Sequence, residues 1–378
     1  MSKDEPVVKV KRVALFGGAI LAFLIGSGFA TGQEVLQYFT SYGYWGVFGG
    51  GLLVLVLITF VSTQFMMVGK TEQFSRPSQI YTYFGGRFLG PVLDYYSILF
   101  IFMSFMVMVA GAGAVVNQQY GLPTVVGGVS LAAVSAVTVF FGLNNLLQVI
   151  AKVGPAIVVI AIALGLWAIL SNPAGIPNGQ AALPDLEVTQ ASSNWVLAAL
   201  SYVGVVMLWL AAFLTAMGES ASSRREAWLG GVCGTAAFTV AVIIVALGLL
   251  ANIEEVADLE IPMLYLAKDV ASWLATGFSV IVVAGIFSTA VPLLWTVASR
   301  WVEDGSKKFR VLTLILAAVG CFLGLLVPFS QMVNIVYVIN GYIGIAFLAL
   351  MIFTAARHAF GGSSTTTGRD REEVAAHS

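Results

Sequence analysis

The segment Ile25-Gly26-Ser27-Gly28-Phe29-Ala30-Thr31-Gly32-Gln33-Glu34 interrupts the first apolar run of the chain. That run covers residues 12–39, which is enough helix to cross about 30 Å of hydrocarbon, and its glycines fall near the middle. An unwound segment at this depth frees backbone amides and carbonyls that lipid cannot satisfy. The sequence therefore predicts a broken helix that lines a wet cavity or holds a ligand.

Composition assigns most of the chain to a membrane. Of its 378 residues, 59% are hydrophobic and 10% are charged, whereas soluble proteins carry about 25% charged residues. The net charge of −1 gives no argument for a nucleic-acid partner. Cys233 and Cys321 are too few and too far apart for a disulfide scaffold or a thiolate metal site. The predicted partner is the lipid bilayer, and no cofactor is predicted.

Ten runs of mainly apolar residues predict ten transmembrane helices. They cover residues 12–39, 44–68, 91–118, 123–142, 145–170, 194–217, 227–252, 271–298, 310–328 and 333–356. If the intervals alternate in side, every Lys and Arg except Lys152 and Lys268 lies on the side of the N-terminus. The positive-inside rule then predicts a multi-pass protein of the inner (plasma) membrane with both termini in the cytoplasm.

Irregularities recur in the two halves of the chain. The sixth run contains Ser201-Tyr202-Val203-Gly204 at a depth comparable to the first break, and polar stretches at 71–86 and 252–269 occupy equivalent intervals. Because five is odd, the second half enters from the opposite side. The predicted fold class is an all-α polytopic membrane protein with a 5+5 inverted repeat and broken helices 1 and 6. Glycines that merely permit close helix packing are the alternative explanation.

The domain organisation follows from this count. Residues 12–170 and 193–357 are the two five-helix repeats, and residues 171–192 form an extracellular linker between them. Residues 1–11 are a cytoplasmic N-terminal tail. Residues 358–378 are Ser/Thr-rich and then charged, which predicts a disordered cytoplasmic tail.

The two predicted breaks suggest what they bind. Amides at the start of the half-helix near Gln33 favour an anionic group such as a carboxylate, while exposed carbonyls accept from an ammonium group or hold a cation. A zwitterion satisfies both, so a small amino-acid-like solute is predicted. Glu34 could receive the ammonium, take up a proton, or cap the half-helix. The candidate substrate-binding residues are Gly26, Ser27, Gly28, Phe29, Ala30, Thr31, Gly32, Glu34, Tyr202 and Gly204.

The segment 25–34 resembles the first-helix break of the amino acid–polyamine–organocation superfamily. Along its whole length the chain resembles bacterial YkvI-like membrane proteins, which carry a similar G-x-G-F-A-(S/T)-G-Q-E signature. This resemblance implies the five-plus-five leucine-transporter fold, and it leaves the substrate open.

Lys152 is a charged residue inside the fifth run. A lysine at the centre of a bilayer costs about 2.5–3.5 kcal/mol on insertion scales, so burial favours its neutral form, as a proton carrier requires. The run resembles the fifth span of proton-coupled members of the superfamily, in which a lysine replaces the inner sodium ion. The alternative is a side chain that extends to the cytoplasmic headgroups.

Ser288 and Thr289 in the eighth run offer a rival coupling site. In sodium-coupled members that this run resembles, two adjacent hydroxyls help to hold the ion, so sodium is possible there although no other metal is predicted. Alternatively, both hydroxyls bond to carbonyls of their own helix. The lysine and the sodium ion exclude each other, and the lysine, together with Glu34, is the preferred proton site.

The predicted function is therefore secondary active transport of a small amino-acid-like solute by alternating access, coupled to protons. A sodium-coupled symporter is the alternative, as is a ligand-sensing receptor or channel on the same fold. Tyr337, Asn340 and Tyr342 in the tenth run could line a pore. An enzyme is not predicted, because the apolar runs contain no Cys/His pair, no H-E-x-x-H motif and no aspartate pair at mid-depth.

Overall fold

The computed structural model describes residues 9–25, 27–141 and 147–360, and only the backbone of residues 27, 141, 147–154 and 358–360. No strand occurs in these ranges. The helices are α1 Val10–Leu24, α2 Ser27–Thr31, α3 Gln33–Tyr38, α4 Gly51–Glu72, α5 Gln79–Tyr120, α6 Thr124–Phe141, α7 Leu147–Ser171, α8 Gly175–Ala182, α9 Trp195–Ser220, α10 Arg224–Leu250, α11 Ile253–Val256, α12 Pro262–Val270, α13 Ser272–Trp301, α14 Lys307–Gly324 and α15 Phe329–Phe360.

Several predictions from the sequence lie outside this description. They concern the first eight residues of the N-terminal tail, Gly26, the side chains of Ser27 and Lys152, and the C-terminal tail beyond residue 360.

The described helices confirm an all-helical membrane protein. Six are long and apolar enough to cross a bilayer: Trp45–Glu72, Gln79–Tyr120, Trp195–Ser220, Arg224–Leu250, Ser272–Trp301 and Phe329–Arg357. A seventh candidate combines Pro155–Ser171 with Gly175–Asp185, two helices that meet at a bend of 93°. The three other predicted runs coincide with α1–α3, α6 and α14.

The break in the first helix is present. Helix α1 ends at Leu24, and α2 and α3 follow as two short pieces separated by Gly32. Gly32 has a φ of +87°, a left-handed conformation that glycine adopts without strain. A methyl group at Gly32 would also lie 2.9 Å from Cγ of Met263 in α12. The local geometry therefore requires glycine at this position.

The predicted break in the sixth helix is wrong. Helix α9 runs without interruption from Trp195 to Ser220. A methyl group on Gly204 would collide with the backbone carbonyl of Gly341 in α15. Gly204 is therefore a close-packing glycine, because its missing side chain lets α15 approach, and it needs no break in the helix.

The two polar stretches cover opposite ends of the bundle. The first part of α5 precedes a kink at Gly86, where φ is +67°, and its Tyr81 hydroxyl donates to Leu208 O of α9 at 2.9 Å. Helices α11 and α12, from the other stretch, lie beside the broken helix, where Met263 contacts Gly32. The second polar stretch therefore helps to enclose the break.

Two ion pairs join neighbouring helices at the basic end, which we define by Arg12, Arg225, Arg300 and Lys307. Arg12 Nε of α1 lies 3.2 Å from Glu226 Oε1 of α10. Arg300 Nη2 of α13 lies 2.7 Å from Asp94 Oδ2 of α5. Arg12 also donates to Ser220 O at 2.5 Å and to Ser222 Oγ at 2.6 Å, which fixes the start of α1 against the turn between α9 and α10.

Candidate functional site

Glu34 occupies the concave side of the break. Its side chain turns back over Gly28, so that a methyl group on Gly28 would collide with the Glu34 carboxylate. Glu34 is only 4% exposed. Among the side chains that the structure describes, none forms an ion pair with it. A buried carboxylate of this kind must be neutralised by a proton or by a bound cation.

Tyr38 and Tyr337 lie beside Glu34, and Ser201 lies beside Tyr38; the hydroxyls of all three are buried without a hydrogen-bond partner in the described part of the chain. The Tyr337 hydroxyl faces the Glu34 carboxylate, and the Tyr38 hydroxyl faces Ser201, in each case without hydrogen-bond geometry. An unpaired buried polar group costs about 1–3 kcal/mol. Three in one place, from α3, α9 and α15, indicate a binding site. We call these four residues the Glu34 cluster.

Aromatic rings enclose this cluster. The ring of Tyr202, which is buried, lies edge-on to Tyr38 and to Phe39 with ring centroids 5.2 Å apart in each pair. Its other face stacks on Phe238 of α10 at 6.3 Å. Trp209 lies edge-on to Tyr337 at 5.3 Å. The structure therefore brings Tyr202, a predicted substrate contact, next to Glu34 on a continuous helix.

The rest of the break is partly satisfied by its own side chains. Thr31 Oγ1 donates to Gly28 O at 2.8 Å and accepts from Gln33 N at 3.4 Å. Phe29 and Ala30 are fully buried, and Phe29 packs against Phe238. Thr31, Phe29 and Ala30, which were predicted to contact the substrate, therefore make contacts within the protein that stabilise the break.

The predicted coupling residues occupy the helices around α2. Ser288 and Thr289 lie in α13, which packs against α2, and both hydroxyls donate to Gly285 O, at 2.7 and 3.1 Å. The backbone of Lys152 lies in α7, whose Ile157 reaches Gly285. A sodium site at Ser288 and Thr289 and a proton site at Lys152 both remain predictions.

Sequence reasoning missed a buried glutamine network on the adjacent face of α3. Gln33 Nε2 donates to Leu259 O at 2.6 Å, whereas Gln37 Nε2 donates to Gln33 Oε1 at 3.0 Å and to Ser330 O at 2.9 Å. Asn334 Nδ2 in turn donates to Gln37 Oε1 at 3.2 Å. We call Gln33, Gln37 and Asn334 the glutamine network. The signal in the sequence was two glutamines four residues apart in an apolar run.

Of the tenth-run residues predicted to line a pore, only Tyr337 belongs to the Glu34 cluster. Asn340 is buried and accepts from the Tyr96 hydroxyl at 2.7 Å. The Tyr342 hydroxyl lies 3.1 Å from Ser192 Oγ in the segment between the two halves. Asn340 and Tyr342 therefore form contacts with a neighbouring helix and a loop, outside the Glu34 cluster.

No family profile matches this sequence. The uncharacterized membrane protein YkvI of Bacillus subtilis is 20% identical over 336 residues, which cover 87% of this chain and 92% of YkvI. The uncharacterized protein YyaD of the same organism is 24% identical over 340 residues, covering 88% of this chain and 94% of YyaD. The resemblance to YkvI therefore extends over nearly the full length of both proteins.

Three solved structures resemble the chain more in shape than in sequence. The H236A mutant of the manganese transporter of Eremococcus coleocola aligns at a TM-score of 0.55 and 13% identity, over 93% of this chain and 80% of its own. Mhp1 in its inward-facing conformation aligns at a TM-score of 0.55 and 13% identity, over 90% of this chain and 75% of its own. MhsT in complex with L-phenylalanine aligns at a TM-score of 0.51 and 17% identity, over 89% of this chain and 88% of its own.

The chain has the leucine-transporter fold. The broken first helix and the Glu34 cluster of this chain therefore lie within a fold that the chain has in common with a manganese transporter. The sequence differs from each of the three solved structures at more than four positions in five, so the likeness settles the fold alone.

Proposed function

We propose that the chain is a secondary active transporter that moves a small amino-acid-like solute by alternating access, with the Glu34 cluster as its binding site. The observation that carries this proposal is a buried carboxylate beside three unpaired hydroxyls at the break of a membrane helix. Groups of this kind are stabilised by a polar ligand. The fold, which the chain has in common with a manganese transporter and with MhsT, a protein solved in complex with L-phenylalanine, supports the same function.

We also propose ten membrane spans arranged as a five-plus-five inverted repeat. Each of the ten apolar runs coincides with helix in the described residues. Helix α1 packs against α10 and α9 packs against α4, which are the pairs that exchange when the two halves are interchanged. Arg12 bonds to Ser220 and Ser222, and Arg224 bonds to Thr71, so three basic intervals meet at one end of the bundle, which supports a plasma-membrane protein with both termini in the cytoplasm.

For coupling we propose protons. Glu34 is buried without an ion-pair partner among the described side chains, which suits a group that gains and loses a proton during transport. Lys152 is the second proposed proton site. The alternative is sodium at Ser288 and Thr289, whose hydroxyl oxygens keep free lone pairs while their hydrogens are donated to Gly285 O.

The test uses purified protein in sodium-free liposomes that contain a pH-sensitive dye, with a panel of radiolabelled amino acids and related solutes. Substrate-dependent proton movement that is lost in Glu34→Gln or Lys152→Ala supports proton-coupled transport. The matched control is Glu254→Gln, since Glu254 is an exposed glutamate of α11. Uptake that requires sodium and is lost in Ser288→Ala would assign coupling to the hydroxyls. Failure to transport any solute under either condition contradicts the proposal.

A further inference from the structure

We propose that the transported solute binds through an ammonium group, with no carboxylate at the break, and that this ammonium and a proton compete for the Glu34 carboxylate. The inference rests on the proposed function: it keeps the same binding site and the transport step, and it changes the solute from an amino-acid-like molecule to an amine. It also makes the coupling an exchange, because the site holds either the proton or the amine.

The space that a substrate carboxylate would take is already filled. The sequence predicts an anion beside the glycines of the break, but the carboxylate of Glu34 itself packs over Gly28. The amide of Gln33 is taken by Thr31 Oγ1. Once Glu34 has ionised to pair with an ammonium group, a second carboxylate in this position would meet a like charge in a site shielded from water, where repulsion is strong.

The groups that face Glu34 give it no positive partner among the described side chains. Its titratable neighbours are the phenols of Tyr38 on its own helix, Tyr202 from α9 and Tyr337 from α15. Helix α10 contributes the ring of Phe238, and α12 contributes Met263 beside Gly32. A charged carboxylate in such surroundings requires a bound cation, and without one it holds a proton.

The rest of the cluster fits an ammonium group. An ammonium group has three N–H donors and no acceptor, so it can donate one hydrogen bond to the Glu34 carboxylate and the other two to hydroxyl oxygens of Tyr38, Ser201 or Tyr337. Four aromatic rings also lie around the cluster, those of Tyr38, Tyr202, Tyr337 and Trp209. Because hydroxyls both donate and accept, the sign of the ligand charge is decided by the Glu34 carboxylate.

The exchange balances in charge and in protons. In the empty site Glu34 is a neutral carboxylic acid. When a protonated amine binds, the Glu34 O–H bond breaks, the proton leaves to the aqueous side that is open, and the carboxylate pairs with the ammonium group. Release of the amine on the other side reverses the step, so one proton moves against one amine and the site remains neutral throughout.

The test compares molecules that differ only in their charged groups, using the purified full-length protein in weakly buffered detergent solution. The probes are phenethylamine, phenylalanine and 3-phenylpropionate, with isoamylamine, leucine and 4-methylpentanoate as an aliphatic set. Calorimetry gives the affinity and a pH dye gives the protons released. We expect the amines to bind and to release about one proton each. Their affinity should rise about tenfold for each unit of increasing pH, over the pH range in which Glu34 of the empty protein still holds its proton.

Two variants separate the outcomes. Glu34→Gln should abolish proton release and weaken amine binding at least tenfold, whereas Glu34→Asp should retain proton release, provided that both elute as folded monodisperse protein. Binding of phenylalanine or leucine but not of the amines would overturn the amine proposal and leave the transport proposal standing. Amine binding without proton release would overturn the competition. An amine that binds as expected but is never transported would instead contradict the proposed function.

Discussion

Gly204 of α9 and Gly344 of α15 pack backbone against backbone. A methyl group on Gly344 would collide with Cα and the carbonyl group of Gly204, and one on Gly204 would collide with the carbonyl oxygen of Gly341. Gly341 leaves room in the same way for Ser201 Oγ. This crossing therefore brings two helices of the Glu34 cluster together at a distance that only glycine permits.

Gly344→Ala should destabilise the protein, because overpacking at a helix crossing costs about 1–3 kcal/mol. The measurement is the thermal unfolding midpoint of the purified protein in detergent. The control is Gly277→Ala in α13, where an added methyl group meets nothing within 4 Å. There alanine favours the helix by up to about 1 kcal/mol. If both variants unfold at the same temperature, the proposed crossing is wrong.

The same amino acid explains why one helix break could be predicted and the other could not. In segment 25–34 three glycines stand close together in a long apolar run, and the chain breaks there. Around Ser201–Gly204 a single glycine gave a similar but weaker pattern. The role of Gly204 depends on α15, which is distant in the sequence. Only the packed structure therefore shows that Gly204 permits a close helix contact and does not break the helix.

Loss of the Arg12 side chain should destabilise the protein strongly. The Glu226 side chain is completely buried, and its Oε1 lies 3.2 Å from Arg12 Nε and accepts from Ser222 N at 3.1 Å. Removal of one partner of a buried ion pair costs about 3–5 kcal/mol. We expect less for Arg12→Met, because the Arg12 side chain is 34% exposed and the arriving water screens Glu226. The thermal unfolding midpoint measures the loss.

The control for this prediction is Arg225→Met, an exposed arginine in the first turn of α10. It should leave the unfolding midpoint nearly unchanged. Glu226→Gln added to Arg12→Met should recover part of the stability, since the unpaired buried charge is then gone. A double variant as unstable as the sum of the single changes would show that the ion pair contributes nothing.

Gln37→Leu should loosen the half-helix α3. The change removes three hydrogen bonds of the glutamine network, to Gln33, Ser330 and Asn334, each of which contributes about 0.5–1.5 kcal/mol. Amide hydrogen exchange across Gln33–Tyr38 should therefore accelerate at least about tenfold. Gln119→Leu is the control, because Gln119 also makes a hydrogen bond, to Thr276, but lies outside the network. Unchanged exchange in α3 would contradict this role.

Part of the binding site could be predicted from the sequence, and part of it depends on contacts between residues that are distant in the sequence. Glu34 follows the break directly and Tyr202 stood in a polar stretch of an apolar run, so both were visible in the sequence. Tyr38 follows Glu34 by four residues on α3, but Ser201 and Tyr337 come from α9 and α15, and no spacing along the chain connects them to Glu34. What marks them is that their buried, unpaired hydroxyls lie close together, which is a property of the packed structure.

Tyr337→Phe should stabilise the empty protein and weaken solute binding. The Tyr337 hydroxyl is buried without a partner among the described residues, so its removal relieves a cost of about 1–3 kcal/mol in the absence of ligand. The control is Tyr81→Phe, because the buried Tyr81 hydroxyl already donates to Leu208 O and its loss should lower stability. Unfolding midpoints measured with and without the amine probes test both effects. A Tyr337→Phe variant that is less stable than wild type and binds solute normally would show that this hydroxyl supports the fold instead of the ligand.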